Sequence, residues 1–278
     1  MPELFAPFEV TDKSSSDFVG PPSNARIVPC SLTYADEQGD RLDAPFSCGF
    51  DRLNFGGKNM DRALPITAGT WKKLVDCNRI SVDAGWASSG VFAPGIGPEY
   101  DPGSKLALLY VGKSAGPLGK LVASNHDQAA SVFASTKWMV ERRNKSAFWQ
   151  MLDLIDPSRR KVAWTNICKM DEIGGSRPPP AHRWRGLSEP HFTALKEEIA
   201  SLTPRVILFA TSGYCGDAVA SSLEDLGYTR KALRFRDGHT KLTATSEGAF
   251  AIETRHPQGW PTSERDRVVD LTRKLLLR

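Results

Sequence analysis

The stretch "KLALLYVG", residues 105–112, decides the fold of this 278-residue chain. It is a short, mainly apolar run that ends in glycine, which is typical of a strand buried on both faces. Three similar runs follow it: "RKVAWTNI" at 160–167, "RVILFAT" at 205–211 and "AFAIET" at 249–254. Stretches with helical spacing separate them, and strands that alternate with helices form mainly parallel sheets. We therefore predict an α/β fold, a three-layer α/β/α sandwich around a central four-stranded, mainly parallel sheet.

The intervening helices have recognisable starts and faces. Ser188 is a candidate N-cap, and Pro190 lies in the first turn that follows it, where a missing N–H is tolerated. The predicted helices cover 128–141, 145–156, the stretch after Ser188, 215–226 and 263–277.

The first hundred residues differ from the rest, because they are irregular and rich in Gly, Pro, Ser and Asp. One helix is predicted in "GTWKKLVDCNRI", with Thr70 as its N-cap. A cluster of turn formers, "APGIGPEYDPGSK" at 93–105, follows and marks a boundary. We expect residues 1–95 to be an irregular N-terminal extension packed on the core, and residues 96–278 to be the α/β domain.

Composition excludes several classes of protein. No apolar run approaches the roughly 20 residues that span a bilayer, and the N-terminus lacks the pattern of a signal peptide, so we expect a cytoplasmic protein without membrane contact. The five cysteines are scattered, odd in number and form no C-x-x-C pair, which argues against disulfides or a thiolate metal site. We expect neither a metal nor a cofactor.

The formal net charge of +4 permits an anionic partner without requiring one. Arg and Lys stand beside aromatics in "WMVERRNKSAFW" and "RPPPAHRWRG". Such clusters occur in solvated loops and helix ends. They also occur in nucleic-acid interfaces, where cations neutralise phosphates and aromatic rings stack on bases. Composition leaves both interpretations open.

Ligands of parallel sheets bind at the carboxyl ends of the strands. The first strand runs into "VGKSAGPLGK" at 111–120, which fits neither a Walker loop nor a dinucleotide fingerprint but can bring backbone N–H groups close to a ligand. Asn166 ends the second strand, and its amide either pairs with the edge of a pyrimidine or caps its own turn. His256 precedes Pro257, which favours an extended backbone that aims the ring outwards. The third strand end, "ATSGYCGD", receives no chemical role.

In this order and spacing, the strand ends resemble the uracil-DNA glycosylase superfamily over residues 96–278. "GKSAG" at 112–116 is similar to the family's G-E-A-P-G type of motif, "TN" at 165–166 to its base-reading motif, and "HPQ" at 256–258 to its H-P-S motif. The helix-to-strand segment "PRVIL" at 204–208 also matches. The resemblance implies a DNA glycosylase that flips a base out of DNA and hydrolyses its N-glycosidic bond, leaving an abasic site.

The resemblance also implies roles for individual residues. Asn166 would read the edge of the base, and Phe133, Trp138 or Phe148 would stack on it, with Phe148 the preferred candidate. His256 would donate a hydrogen bond to the departing base oxygen. Gly112, Ser114 and Gly116 would line the base pocket. Trp260, expected to be exposed, would wedge into the DNA, and Arg255 would contact a phosphate.

The first motif departs from the family, because Lys113 and Ser114 stand where many members have an acid or amide. A lysine orients a phosphate, or attacks the sugar as an amine. Asp127 is the candidate for the missing carboxylate. The departure suggests a modified pyrimidine as substrate, such as the bulky bases of phage DNA, besides uracil. Base-excision repair and defence against phage are the settings that follow from these substrates.

Two other functions remain compatible with the sequence. One is a DNA-binding module that keeps the fold without catalysis, which Lys113 in place of an acid favours. The other is an unrelated α/β hydrolase acting on free nucleosides.

Overall fold

The computed structural model describes residues 63–85, 87, 90–114, 122–135, 139, 146–170, 186–234 and 239–278, all within a compact unit that begins at Lys58. This part of the chain has a mixed α/β fold. Its helices are α1 (Ala68–Asp83), α2 (His126–Ala134), α3 (Ala147–Ile155), α4 (Glu189–Leu202), α5 (Gly216–Asp225) and α6 (Thr262–Leu276). Its strands are β1 (Val91–Phe92), β2 (Gly95–Ile96), β3 (Leu108–Gly112), β4 (Val122–Ala123), β5 (Val162–Asn166), β6 (Val206–Ala210), β7 (Arg230–Arg234), β8 (Lys241–Ala244) and β9 (Phe250–Thr254).

Within the described residues, seven strands form the main sheet, in the order β2-β5-β3-β6-β9-β8-β7. The four predicted strands are β3, β5, β6 and β9, and they lie side by side with all three of their pairings parallel. The sheet is nevertheless larger than the predicted four strands. Strand β2 pairs antiparallel with β5 at one edge, and β8 and β7 extend the other edge with antiparallel pairings. The short strands β1 and β4 pair separately.

Two apolar clusters take alternate residues of β3. Leu109 and Val111 belong to the first cluster, together with side chains from α1, α2, α4 and α5. Leu108 and Tyr110 belong to the second cluster, together with side chains from α3 and α6. This alternation follows from the two-residue period of a strand, whose successive side chains point to opposite faces. It explains why the strand is apolar throughout.

Helix α1 starts earlier than its predicted cap. Thr67 is the N-cap, and its side-chain oxygen accepts a hydrogen bond from the Thr70 N–H. Thr70 therefore lies in the first turn, where its hydroxyl donates to Glu197 of α4 at 2.6 Å. Because α1 packs against α4 and β2 pairs with β5, these N-terminal elements belong to the same unit as the sheet. That unit begins ahead of the turn-rich stretch at 93–105.

Helix α4 has the predicted start, with Ser188 as N-cap and Pro190 in its first turn. Its C-cap is Thr203, which adopts a left-handed conformation with φ of 38°. None of the helices in the described part of the chain has both the length and the apolar character needed to cross a membrane.

Candidate functional site

Two neighbouring parallel strands end side by side, and this brings Gly112 against Asn166. The two residues are opposite each other in the pairing of β3 with β5. A Cβ atom at position 112 would lie 2.3 Å from Asn166 Oδ1 and 3.3 Å from Cζ of Phe148. The distance to Asn166 Oδ1 is far below van der Waals contact, and the distance to Phe148 is tight, so the side-chain amide occupies space that only a glycine leaves open. Gly112 therefore permits a close approach of amide, aromatic ring and backbone.

The amide of Asn166 is buried without being satisfied. The residue is 1% exposed, and its Nδ2 has no hydrogen-bond partner within the described residues. The Oγ of Ser114 is likewise buried and has no hydrogen-bond partner within the described residues. Buried polar groups in folded proteins are nearly always paired, since an unpaired one costs roughly 1–3 kcal/mol. Asn166 ends β5 and Ser114 lies two residues beyond the end of β3, so a polar ligand at these adjacent strand ends would find two groups to pair with.

Phe148, in the first turn of α3, connects the amide to the imidazole. Its ring stacks on Tyr110 with centroids 4.2 Å apart and on His256 with centroids 6.0 Å apart. The Tyr110 hydroxyl donates to the main-chain oxygen of Phe148 at 2.8 Å, which anchors the start of the helix. Of the three aromatic candidates, Phe133 packs in the first apolar cluster, whereas Trp138 lies outside the described residues.

His256 is held by its own main chain and by the neighbouring strand end. Its N–H donates to Ser212 Oγ at 2.8 Å, and its ring Nδ1 accepts from the Gln258 N–H at 3.3 Å. Because Nδ1 accepts, the neutral ring carries its hydrogen on Nε2, which is then a donor. Burial and the charge of Lys113 lower the pKa of His256 from its ordinary 6.5. The imidazole is therefore neutral near pH 7.

Lys113 follows Gly112 directly at the end of β3. Its carbonyl accepts from the Cys168 N–H at 2.8 Å, which extends the pairing of the two strands beyond the sheet. Its side chain is half-buried and forms no hydrogen bond or ion pair with another described residue. Burial lowers the pKa of its amine from 10.5. The positive charge of the amine lowers the pKa of His256, so the amine and the imidazole are electrostatically coupled.

On the opposite face of β5, a buried ion pair lies behind the amide. Lys169 Nζ is 2.7 Å from both carboxylate oxygens of Glu198 and 2.6 Å from Thr165 Oγ1, and the lysine and glutamate side chains are fully buried. Thr165 Oγ1 donates to Glu198 at 2.8 Å. Burial raises the pKa of Glu198 and lowers that of Lys169, and their mutual attraction opposes both changes. Thr165 thus fastens the strand to α4, while the side chain of Asn166 lies against Gly112.

His191 completes this buried layer. Its Nδ1 accepts from the Lys169 N–H at 3.1 Å. Burial, together with the charge of Lys169, lowers the pKa of His191 to about 3, so the ring is neutral. The segment that follows Asn166 is therefore fixed by both the side chain and the main chain of Lys169.

Trp260 is buried, whereas it was predicted to be exposed and to wedge into DNA. The indole is only 9% exposed and packs in the second apolar cluster, and its Nε1 donates to Glu264 in α6 at 2.5 Å. An anchored, buried indole is unavailable to enter DNA, so this placement corrects the predicted exposure. Arg255 remains partly exposed, and its guanidinium contacts the ring of His239.

The predicted carboxylate is not joined to the cluster. Asp127 is exposed in the first turn of α2, and no described contact connects it with Lys113, Asn166 or His256. Gly116 lies outside the described residues. Among the residues that the structure describes, no carboxylate contacts Lys113 or His256, and no three His, Cys, Asp or Glu side chains are grouped to hold a metal ion.

Ser212 is a site residue that sequence reasoning did not identify. It lies in the turn after β6 with φ of 55°, a left-handed conformation that is uncommon for serine. Its contact with His256 spans 44 positions in sequence, so no local pattern announces it. The adjacent Gly213 also has positive φ and marks the tight turn.

The structure thus groups Gly112, Lys113, Phe148, Asn166 and His256 at the carboxyl edge of β3, β5 and β9. Comparison of the sequence with models of known protein families finds no match, and neither does comparison with curated proteins.

Proposed function

We propose that this protein is a DNA glycosylase that flips out uracil or a modified pyrimidine and hydrolyses its N-glycosidic bond. The observation that carries the proposal is the buried side chain of Asn166, which packs against Gly112 beside Phe148 and whose Nδ2 has no hydrogen-bond partner among the described residues. A flipped base would supply a hydrogen-bond partner for Nδ2, and its flat face would stack on the ring of Phe148. The motif resemblance to uracil-DNA glycosylases, made on the same residues, supports the same reading. The proposed architecture is a three-layer α/β/α sandwich, which the two apolar clusters support.

His256 has the properties of a leaving-group donor in this proposal. As the glycosidic bond breaks, negative charge develops on the base, and a positioned N–H stabilises that charge. The neutral imidazole offers its Nε2 hydrogen for this purpose, because its Nδ1 already accepts from Gln258. Lys113 contributes a positive charge that disfavours protonation of the ring. Water is the nucleophile, and Asp127 stays a prediction for its activation.

The direct test is release of free bases from a panel of DNA oligonucleotides. The panel contains uracil, thymine, cytosine and pyrimidines with hydroxymethyl or glucosylated substituents at C5, as single strands and as duplexes. We expect abasic product from at least one of these and, in His256→Ala, a rate reduced by about 100-fold or more, the order seen when one transition-state donor is removed. DNA affinity should stay the same in this variant.

A DNA-binding module without catalysis is the second candidate, favoured by the lack of a carboxylate in contact with Lys113 or His256 among the described residues. Tight DNA binding by the wild-type protein, with no base released from any oligonucleotide, would establish it. Activity on free nucleosides, without dependence on salt, would instead indicate a nucleoside hydrolase, because polyanion binding weakens as salt rises.

A further inference from the structure

The lysine beside the imidazole forms no bond in the hydrolytic step, where it acts only through its charge on His256, although its surroundings suit a reactive amine. Among the described lysines, Lys113 is the one that is half-buried and lacks both a carboxylate and a hydrogen-bond partner. The fully buried Lys169, by contrast, is paired with Glu198 at 2.7 Å. Partial desolvation without a counter-ion favours the neutral, nucleophilic form of an amine. Such an amine is better suited to attack an electrophile than to form a structural ion pair.

Lys113 also lies next to the groups that are proposed to hold the base. The residue follows Gly112, which touches the amide of Asn166, and its amine acts electrostatically on His256. A base held between these groups would have its sugar attached at the same carboxyl edge of the sheet. Two buried atoms here, Nδ2 of Asn166 and Oγ of Ser114, have no hydrogen-bond partner among the described residues, and a polar ligand would supply one.

We propose that Lys113 is the nucleophile of a second activity, an abasic-site lyase that cuts the DNA strand after the base has left. This inference rests on the proposed function, because the glycosylase step supplies the abasic sugar. In its open-chain form that sugar carries an aldehyde at C1′. The free amine of Lys113 adds to this carbon, and loss of one water gives a protonated Schiff base between Nζ and C1′.

The strand break follows from the Schiff base without a cofactor. The iminium makes the C2′ hydrogens acidic, so one proton passes to water and its electron pair forms the C1′–C2′ enamine. That electron pair then expels the 3′ oxygen together with its phosphate, which leaves as the 5′-phosphate end of the downstream strand. Hydrolysis of the conjugated imine returns the lysine amine and releases an unsaturated aldehyde on the upstream strand. No electrons are gained or lost overall.

The test uses duplex DNA that contains a preformed abasic site, so that it does not depend on base release. Borohydride reduces a Schiff base to a stable amine, and the full-length protein should then form a covalent adduct with the DNA. We expect Lys113→Arg, which keeps the charge, and Lys113→Gln to form about 10-fold less adduct or still less. Lys161→Arg, at an exposed lysine just before β5, serves as the matched control and should match wild type.

Peptide mapping of the trapped complex identifies the amine that reacted. Attachment to Lys113, with nicked DNA in the absence of borohydride, supports the lyase. Attachment to another lysine or to the N-terminal amine, or equal trapping by Lys113→Arg, overturns it. Base release without any adduct also overturns the lyase while leaving the glycosylase proposal intact. An adduct on Lys113 without base release from the oligonucleotide panel would leave the lyase standing and remove the glycosylase.

Discussion

The buried pair of Lys169 and Glu198 predicts a large, specific loss of stability when one partner is removed. In Glu198→Leu, the ammonium of Lys169 loses two carboxylate oxygens at 2.7 Å and keeps only Thr165 Oγ1 at 2.6 Å. Both side chains are fully buried, so water does not replace the lost partner. At an effective dielectric constant of about 20, two charges at this separation attract by roughly 6 kcal/mol. Their desolvation offsets part of that attraction.

We expect Glu198→Leu to lower the free energy of unfolding by about 3–5 kcal/mol, the usual cost of an uncompensated buried charge. Urea unfolding followed by tryptophan fluorescence at pH 7 measures it, with the slope of the transition checked for a change in exposed surface. The double variant Lys169→Met/Glu198→Leu removes both charges, and it should recover most of the loss because apolar side chains tolerate this environment.

A second ion pair involving α4 serves as the control. Lys196 and Asp225 are 3.0 Å apart, but their side chains are 36% and 57% exposed. Asp225→Asn should change the free energy of unfolding by no more than about 1 kcal/mol, as is usual for surface pairs. A cost of Glu198→Leu no larger than that of Asp225→Asn would show that the buried charge of Lys169 does not depend on Glu198. A double variant less stable than Glu198→Leu would show the same.

Three further predictions concern the site and its support. Gly112→Ala should leave the fold intact but lower the rate of base release by about 100-fold or more, because the methyl group displaces the amide of Asn166; unchanged kcat and KM would contradict the close approach. The acidic limb of the pH–rate profile should lie below pH 6.5, where His256 becomes protonated, and Lys113→Gln should move it to higher pH by removing a charge that lowers this pKa. A limb that stays in place in Lys113→Gln would count against that electrostatic link. For His191, whose folded pKa of about 3 lies below the unfolded 6.5, stability should fall as pH drops through this window, by on the order of 5 kcal/mol in total. Urea midpoints at pH 7 and 4.5 should therefore differ less in His191→Asn than in wild type, and equal differences would show that His191 is not responsible.

The core of the fold was predictable because its strands have a strong local signal. β3, β5, β6 and β9 are mainly apolar runs, each has at least one parallel neighbour, and the two apolar clusters cover the two faces of the sheet that they form. The edge strands lack that signal. β2 contains two residues, and β8 is half-exposed along most of its length, so neither has a run or an alternation long enough to detect.

The grouping of the candidate residues was predictable where they lie at strand ends. Asn166 and His256 were identified from their positions, and the structure places both beside Phe148. The exposure predicted for Trp260 was wrong. A large aromatic residue after a glycine does not reveal that Glu264, in the following helix, accepts its indole hydrogen. Ser212 was missed for a related reason, since its partner comes from a distant strand. The placement of Trp260 and Ser212 depends on contacts between separate elements, and the local sequence does not reveal such contacts.

The contact between Gly112 and Asn166 also constrains how this chain can diverge. Even the smallest added side chain at 112 would overlap the amide oxygen, so position 112 cannot gain a side chain while Asn166 keeps its present conformation. We therefore expect the two residues to be inherited together: a descendant with alanine at 112 should carry a smaller residue at 166 or a different ligand. Paired occurrence of this glycine and asparagine, at the ends of adjacent parallel strands, would help to identify relatives whose overall sequence has drifted beyond comparison.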